Sequence, residues 1–319
     1  MQEFGIVVSA VLPVLLVALA GLLMRKVNCL NEEADKSLLD VTINLLIPCF
    51  IFDKLLGNPA MQVPSNLVLA PLIGFGTVTG GILISLALAG LAGLRDPIER
   101  KTFGFSTGIY NYGYVPLPLA IALFDRETVA TLVVHNVGVD FGFWAMGAIV
   151  FAQRDQPIWR KLLRPPIFAI LVTVILNFAG AAESVPAVVI STARMIGACA
   201  IPMGLILTGA MVADLMKEFR VEGGARAASA AVFLRIMLLP VGFLLLARLV
   251  PATIELKRVM VLQAAMPSAV FAILASRYFH GHPATALRVV LATSLVSFLT
   301  IPLWIRFGMQ FVGLEMPLR

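Results

Sequence analysis

Apolar runs of about twenty residues recur along this chain and constrain its fold more than any other feature. A helix of that length crosses a hydrocarbon core of roughly 30 Å. We count ten such runs, at 6–24, 37–57, 66–92, 101–124, 128–152, 166–182, 186–213, 227–250, 255–279 and 283–309. Hydrophobic residues make up 60% of the chain and charged residues 13%, outside the soluble range. The sequence predicts an all-α polytopic membrane protein with ten transmembrane helices.

Basic side chains concentrate in alternate connections, and this asymmetry predicts the orientation. The connections after the first, third, fifth and seventh spans carry Arg25 and Lys26, Arg95 and Arg100, Arg154 to Arg164, and Lys217 with Arg220. Because basic loops stay in the cytoplasm, both termini are expected outside it, in a multi-pass protein of the inner or plasma membrane. The net charge of +6 therefore reports topology rather than nucleic-acid binding.

The fourth span is interrupted by a polar, proline-containing stretch that lipid contact alone does not explain. It contains Asn111, Tyr112, Gly113, Pro116 and Pro118. The two prolines lack the N–H groups that would bond the carbonyls of Tyr112 and Tyr114. Backbone freed at membrane depth persists only where it is buried in protein or lines a wet cavity. The stretch therefore predicts a broken transport helix.

A second interruption lies in the ninth span, at Ala265–Ala269 around Pro267. Ile47-Pro48 in the second span likewise matches Ile201-Pro202 in the seventh. The ten spans divide into two sets of five. Because five is an odd number, the second set enters the membrane from the opposite side. We therefore predict a 5+5 inverted repeat, with 1–152 as the first repeat and 153–319 as the second, and with two broken crossover helices in equivalent positions.

The second halves of the broken helices are expected to begin after Pro118 and Pro267, with unpaired N–H groups and positive dipole ends near mid-membrane. Two such ends favour an anion, and a carboxylate is the natural candidate. Asn111 is the best side-chain ligand, although it can also cap freed backbone. Ser268 and Gln263 are the matching groups in the ninth span, although serine often bonds its own helix.

Polar and ionisable residues inside the membrane are candidates for ion coupling. The fifth span carries His135, Asn136 and Asp140, and the eighth carries Arg235. Asn136 and Asp140 share a helix face, and Asp140 lies near mid-depth, so it is the candidate for a proton-coupled carboxyl. An ion pair between Asp140 and Arg235 is the structural alternative, and His135 can equally be a satisfied structural group.

Several motifs together resemble the auxin efflux carrier family, the bacterial relatives of the plant PIN-FORMED auxin transporters. They are Val11-Leu12-Pro13, Asn44 to Pro48, Asn111 to Pro118, Pro166, Ile201 to Leu205 with Thr208-Gly209, Met266-Pro267, Ala275 to Tyr278 and Thr300 to Leu303. The chain departs from the family pattern at Pro116, which stands where the family has glycine. The resemblance extends over nearly the whole chain.

The resemblance implies a PIN-like fold shared with bile-acid symporters. Helices 1, 2, 6 and 7 would form a scaffold, helices 3–5 and 8–10 a mobile transport domain, and helices 4 and 9 would cross at the substrate site. It implies an elevator-type carrier of small organic anions, auxin-like or malate- or malonate-like, and a homodimer through helices 2 and 7.

The leading hypothesis is a secondary transporter of a small carboxylate, and a sodium-coupled organic-anion symporter is the alternative within transport. A membrane-embedded enzyme or a sensor is the alternative from another class. The sequence contains no zinc-protease, diphosphate–magnesium or Ser/Lys motif, so no enzyme activity, metal or cofactor is expected. Cys29, Cys49 and Cys199 are too scattered for a disulfide framework.

Overall fold

The computed structural model describes residues 2–151, 165–218 and 224–315. Within these ranges the chain is helical and forms no strand. The helices of the first half are α1 Gln2–Lys26, α2 Glu32–Val41, α3 Ile47–Leu55, α4 Pro64–Ala87, α5 Pro97–Gly108, α6 Pro116–Leu123 and α7 Arg126–Val150. Those of the second half are α8 Pro165–Phe178, α9 Ala187–Gly197, α10 Ala200–Glu218, α11 Ala225–Val232, α12 Leu239–Leu249, α13 Ile254–Ala264, α14 Phe271–Tyr278 and α15 Pro283–Val312.

Six helical segments of the described chain are long and apolar enough to cross a membrane. They are Val8–Lys26, Pro64–Ala87, Arg126–Val150, Ala187–Asp214, Ala225–Leu249 and Pro283–Val312. This is the pattern of a polytopic membrane protein. The other four predicted spans lie on the shorter helix α8 and on three interrupted pairs, α2–α3, α5–α6 and α13–α14. The boundary between the predicted repeats and most of the basic connections at 153–164 and 219–223 lie outside the described residues.

Prolines account for two π-helical turns inside the longer helices. Pro48 has no N–H for the carbonyl of Asn44, and the helix widens to a π turn over Thr42–Leu46 just before it. Pro240 is preceded in the same way by a π turn over Phe233–Leu238, which joins α11 to α12. Each π turn changes the direction in which the following side chains project from the helix axis.

Glycines bring α1 and α10 into backbone contact. A Cβ on Gly21 would lie 2.0 Å from the carbonyl oxygen of Ile206, and one on Gly209 would lie 1.8 Å from that of Ala18. Neither position therefore accepts a larger residue without separation of the helices. Such close approach through small residues is the usual way that membrane helices associate, and it joins these two helices into one rigid pair.

The same device joins α4 to α7. A Cβ on Gly74 would lie 2.2 Å from the carbonyl oxygen of His135, and one on Gly138 would lie 1.7 Å from that of Pro71. Gly81 on α4 approaches Gly108 at the end of α5 in the same manner, since a Cβ on Gly81 would lie 2.7 Å from the Gly108 carbonyl oxygen. Helices α4, α5 and α7 thus form a second closely packed set, and it carries the first of the two interruptions.

Candidate functional site

The two interrupted helices cross each other through their extended segments. The first segment follows the end of α5 at Gly108, and the second follows the end of α13 at Ala264. The main-chain N–H of Asn111 donates to the carbonyl of Pro267 at 2.7 Å, and that of Ala269 donates to the carbonyl of Ile109 at 3.0 Å. These reciprocal bonds form a short antiparallel bridge that pairs Tyr110 with Ser268. The structure thus brings both predicted interruptions to one place, which we call the crossover.

The bridge geometry divides the crossover into two faces. Directly opposite residues of an antiparallel pair project to the same side, so the Tyr110 and Ser268 side chains share one face. Neighbours along each segment project to the other side, and this second face therefore carries Asn111. Both Tyr110 and Ser268 are fully buried. The crossover thus has an enclosed face with Tyr110 and an opposite face with Asn111.

The second half of the fourth span begins earlier than the sequence indicates. Helix α6 starts at Pro116 rather than after Pro118, because both prolines fit the first turn of a helix, where their missing N–H groups need no partner. The amide between them, on Leu117, donates to the carbonyl of Gly113 at 3.0 Å. The start of α6 therefore contributes its dipole rather than the free N–H groups that the sequence predicts.

The carbonyl that Pro116 leaves unpaired is bonded by side chains from two other helices. Asn136 on α7 donates its Nδ2 to the Tyr112 carbonyl at 2.7 Å, and Gln263 on α13 donates its Nε2 to the same oxygen at 3.4 Å. Gln263 also donates to Oδ1 of Asn136 at 3.2 Å. Three of the predicted site residues thus form one network at the crossover, and this network ties α7 to α13.

Asn111 uses only part of its amide within the protein. Its Oδ1 lies 3.5 Å from the main-chain nitrogen of Val115, the distance of a weak cap at the start of α6. Its Nδ2 donates to none of the described residues. The two roles that the sequence leaves open are therefore compatible, because the oxygen can cap the helix while the nitrogen binds a ligand.

Asp140 and His135 lie around the same network on α7. The Tyr112 hydroxyl donates to Oδ1 of Asp140 at 2.5 Å, which links the crossover backbone to an intramembrane carboxyl. The fully buried His135 has its Nδ1 3.5 Å from Oδ1 of Asn136, and its Nε2 has no partner among the described side chains and backbone. The candidates of the fifth span therefore gather on the side of the crossover where Tyr112 lies.

Arg235 does not form the ion pair with Asp140 that the sequence allows. Its Nε donates to the Met266 carbonyl at 3.1 Å. Its guanidinium carbon lies 5.3 Å from the centre of the Tyr110 ring and 5.4 Å from that of Phe243. Arg235 therefore lies behind the crossover, on its enclosed face.

Two contacts of the site have no signal in the sequence. Thr77 on α4 lies 2.9 Å from the Tyr110 hydroxyl and fixes this ring against the enclosed face. The Tyr114 ring lies against Gly204 of α10, where a Cβ would be 1.9 Å from Cε1 of the tyrosine. Gly204 belongs to the Ile201–Leu205 motif, but only the fold shows which ring it receives.

Sequence comparison places the chain among known proteins. The profile of a family described as membrane transport proteins matches it in two segments, residues 6–158 and 154–305. The chain belongs to this family. The similarity to auxin efflux carriers inferred from its motifs is thereby confirmed.

Two archaeal proteins are similar to this membrane transport protein over almost their full length. One is an uncharacterized transporter of Methanothermobacter thermautotrophicus, 25% identical over 307 residues that cover 93% of this chain and 96% of the relative. The other is an uncharacterized transporter of Methanocaldococcus jannaschii, 24% identical over 305 residues that cover 93% of this chain and 97% of the relative. The family is one of multi-pass membrane transporters and not of enzymes.

We predict that Asn136 and Gln263 of this transport protein stabilise the crossover as a coupled pair. Removing either leaves the Tyr112 carbonyl with a single donor, and removing both leaves it without either of these donors. A double-mutant cycle of Asn136→Ala and Gln263→Ala, measured by thermal unfolding in detergent, should give a coupling of about 0.5–3 kcal/mol.

Asn177 provides the matched control for this cycle. It is a buried amide on α8 that bonds the Leu55 carbonyl and the Gly57 N–H, away from the crossover. Asn136→Ala combined with Asn177→Ala should be additive within about 0.5 kcal/mol. Additivity of Asn136→Ala with Gln263→Ala as well would show that the network does not act as a unit.

Proposed function

We propose that this protein is a secondary transporter of a small organic anion, carrying a carboxylate across the membrane by an elevator-type mechanism. The observation that supports it most is the crossover, where two broken helices meet through reciprocal main-chain bonds beside the amide nitrogen of Asn111, which donates to none of the described residues. Extended backbone at this depth is tolerated where it lines a substrate cavity. The dipoles of α6 and α14, which start beside the crossover, favour an anion there.

The proposed topology has ten crossings in a 5+5 inverted repeat, with both termini outside the cytoplasm. Each half of the chain contains one such interruption, α5–α6 in the first half and α13–α14 in the second. Antiparallel pairing at Tyr110 and Ser268 is the relation expected of two segments related by a two-fold axis in the membrane plane. The family profile also matches the chain in two segments that divide it near its middle.

The proposed mobile unit comprises α4–α7 and α11–α15, and the proposed scaffold comprises α1–α3 and α8–α10. Glycine-mediated backbone contacts hold α1 to α10 within the scaffold and α4 to α7 within the mobile unit. Between the proposed units, the Tyr114 ring lies against Gly204. The Tyr114 ring can slide along the helix surface at Gly204, whereas helices in direct backbone contact cannot slide past each other. The scaffold would also form the homodimer, through the exposed apolar residues Leu45 and Met195 of its second and seventh spans.

The thermal stability of the purified protein should rise with small carboxylates and not with their neutral counterparts. A ligand that binds only the folded state stabilises it, by about 2.7 kcal/mol at a hundred times its dissociation constant. We would screen malonate, malate and indole-3-acetate against malonamide and indole-3-acetamide. A shift with the amides alone would refute the proposal of an anion site.

Asn111→Ala should abolish the stabilisation by the carboxylate and its transport into liposomes, while the unliganded protein keeps nearly its original melting temperature. Among the described residues the side chain makes one hydrogen bond, which is long, so its removal costs little stability. Asn177→Ala is the opposite control, with a lower melting temperature and an unchanged ligand shift. Near-normal transport by Asn111→Ala would rule out the proposed role.

Coupling to protons is proposed for Asp140, through its hydrogen bond with Tyr112. Protonation of the carboxyl would change this bond and with it the crossover segment. Asp140→Asn cannot titrate at this position, so its transport rate should lack the pH dependence that we expect of wild type between about pH 5 and pH 8. The measurement is uptake into liposomes across that range, and full retention of the wild-type pH profile would exclude Asp140.

Asp125 offers the matched control on the same helix. Burial raises the pKa of its carboxyl, but hydrogen bonds from Thr128 and the Arg258 guanidinium outweigh burial and bring the pKa below its usual range. A carboxyl whose pKa is lowered in the folded state becomes protonated only as the pH falls through that lowered pKa. Asp125 therefore stays ionised over the tested range. Asp125→Asn, which keeps a favourable N-cap for α7, should therefore leave the pH profile unchanged.

Cross-linking of Tyr114 to Gly204 tests the movement between the two units. In a protein whose native cysteines are replaced by serine, Tyr114→Cys with Gly204→Cys should be bridged by Hg²⁺ and lose transport while it retains carboxylate binding. Asp53→Cys with Arg194→Cys joins α3 to α9 inside the scaffold, where the native side chains form an ion pair at 3.0 Å, and its bridging should leave transport intact. Full transport by the bridged Tyr114–Gly204 pair would exclude this sliding contact.

A further inference from the structure

The sequence around Arg235 places a positive charge deep in the protein. Pro240 removes the N–H partner of the Ile236 carbonyl, and the indole nitrogen of Trp304 donates to that carbonyl instead, at 2.8 Å. The π turn over Phe233–Leu238 carries Arg235 at 0% exposure. Since π turns inside helices are frequent at functional sites, this turn indicates a functional role for Arg235.

The guanidinium is bonded on one edge only. Its Nε donates to the Met266 carbonyl at 3.1 Å, and its faces lie near the rings of Tyr110 and Phe243. Nη1 and Nη2 are buried and have no hydrogen-bond partner among the described residues. Nor does any acidic side chain of the described chain form an ion pair with Arg235.

The charge is thus compensated in part. Met266 follows the end of α13 at Ala264, and the carbonyls at a helix C-terminus carry partial negative charge that favours a cation. Aromatic faces add a further attraction. Neither replaces a carboxylate counter-ion, and a buried charge without one is costly. An anion bound at the crossover would provide the missing counter-charge.

We propose that Arg235 is a specificity-determining residue of the transport site, which selects substrates by their number of negative charges. This inference rests on the proposed function, since it assigns the substrate class of the same site. Tyr110 contacts the guanidinium on the enclosed face, whereas the substrate is proposed to bind beside Asn111 on the opposite face. Arg235 therefore attracts the substrate electrostatically across the crossover and does not contact it directly.

A field of this kind has a signature that a purely structural role lacks. Coulomb energy is proportional to the charge of the ligand. Removal of Arg235 should therefore lower the affinity for a dianion by the square of the factor by which it lowers the affinity for a monoanion. If the substrate charge lies ~12 Å from the guanidinium, an effective dielectric constant of about 20 gives a factor of about tenfold for a monoanion and about a hundredfold for a dianion. Loss of packing would weaken both ligands equally.

The experiment measures the affinities of malonate and of monomethyl malonate, which share a skeleton and differ by one charge, by calorimetry on the full chain. Arg235→Met is the main variant, because apolar replacement of a buried charge at similar volume is often neutral for stability. We expect it to lose about a hundredfold for malonate and about tenfold for the monoester. Arg235→Lys, which keeps the charge, should retain both affinities within about threefold.

Arg226→Gln is the control, because Arg226 is exposed and also donates its Nε to a backbone carbonyl, that of Leu91. It should change neither affinity. Equal losses for the two ligands in Arg235→Met, or no loss, would overturn the inference while the proposed function stands. If wild type binds neither carboxylate, both fail together. Should Arg235→Met not fold, Arg235→Gln gives the same comparison.

Discussion

The reciprocal main-chain bonds between Asn111 and Pro267 and between Ala269 and Ile109 are the interaction on which the rest of the site depends. Each broken helix leaves backbone groups without partners inside an apolar environment, where an unbonded group costs several kcal/mol. Another extended segment alongside satisfies main-chain donors and acceptors of both interruptions in register. The two interruptions therefore stabilise each other.

The interruptions themselves were predictable because proline and glycine report directly on the backbone. Pro116, Pro118 and Pro267 mark the two breaks in the sequence, and the structure has both there. The sequence did not give the partner of the Tyr112 carbonyl, because Asn136 and Gln263 come from helices whose packing is a tertiary property. The same holds for Gly204, whose neighbour Tyr114 is distant along the chain.

Arg235 shows the limit of sequence reasoning most clearly. Placing charged residues at similar depth suggests an ion pair with Asp140, since opposite charges in a membrane usually pair. The π turn before Pro240 instead directs Arg235 to the Met266 carbonyl, and Asp140 accepts from the Tyr112 hydroxyl. A small change in helical pitch thus separates two charges that depth alone would join, and no periodicity argument contains that information.

This separation gives the crossover an electrostatic asymmetry. A guanidinium lies on its enclosed face, and a carboxyl lies beside Tyr112 at the other end of the segment. An ion pair would have cancelled both fields, whereas separated charges leave the positive field that the proposed anion site requires. An anion bound at the proposed site beside Asn111 would be attracted by Arg235 and repelled by ionised Asp140. Protonation of Asp140 would remove the repulsion, so the same geometry that selects the anion would also couple its binding to a proton.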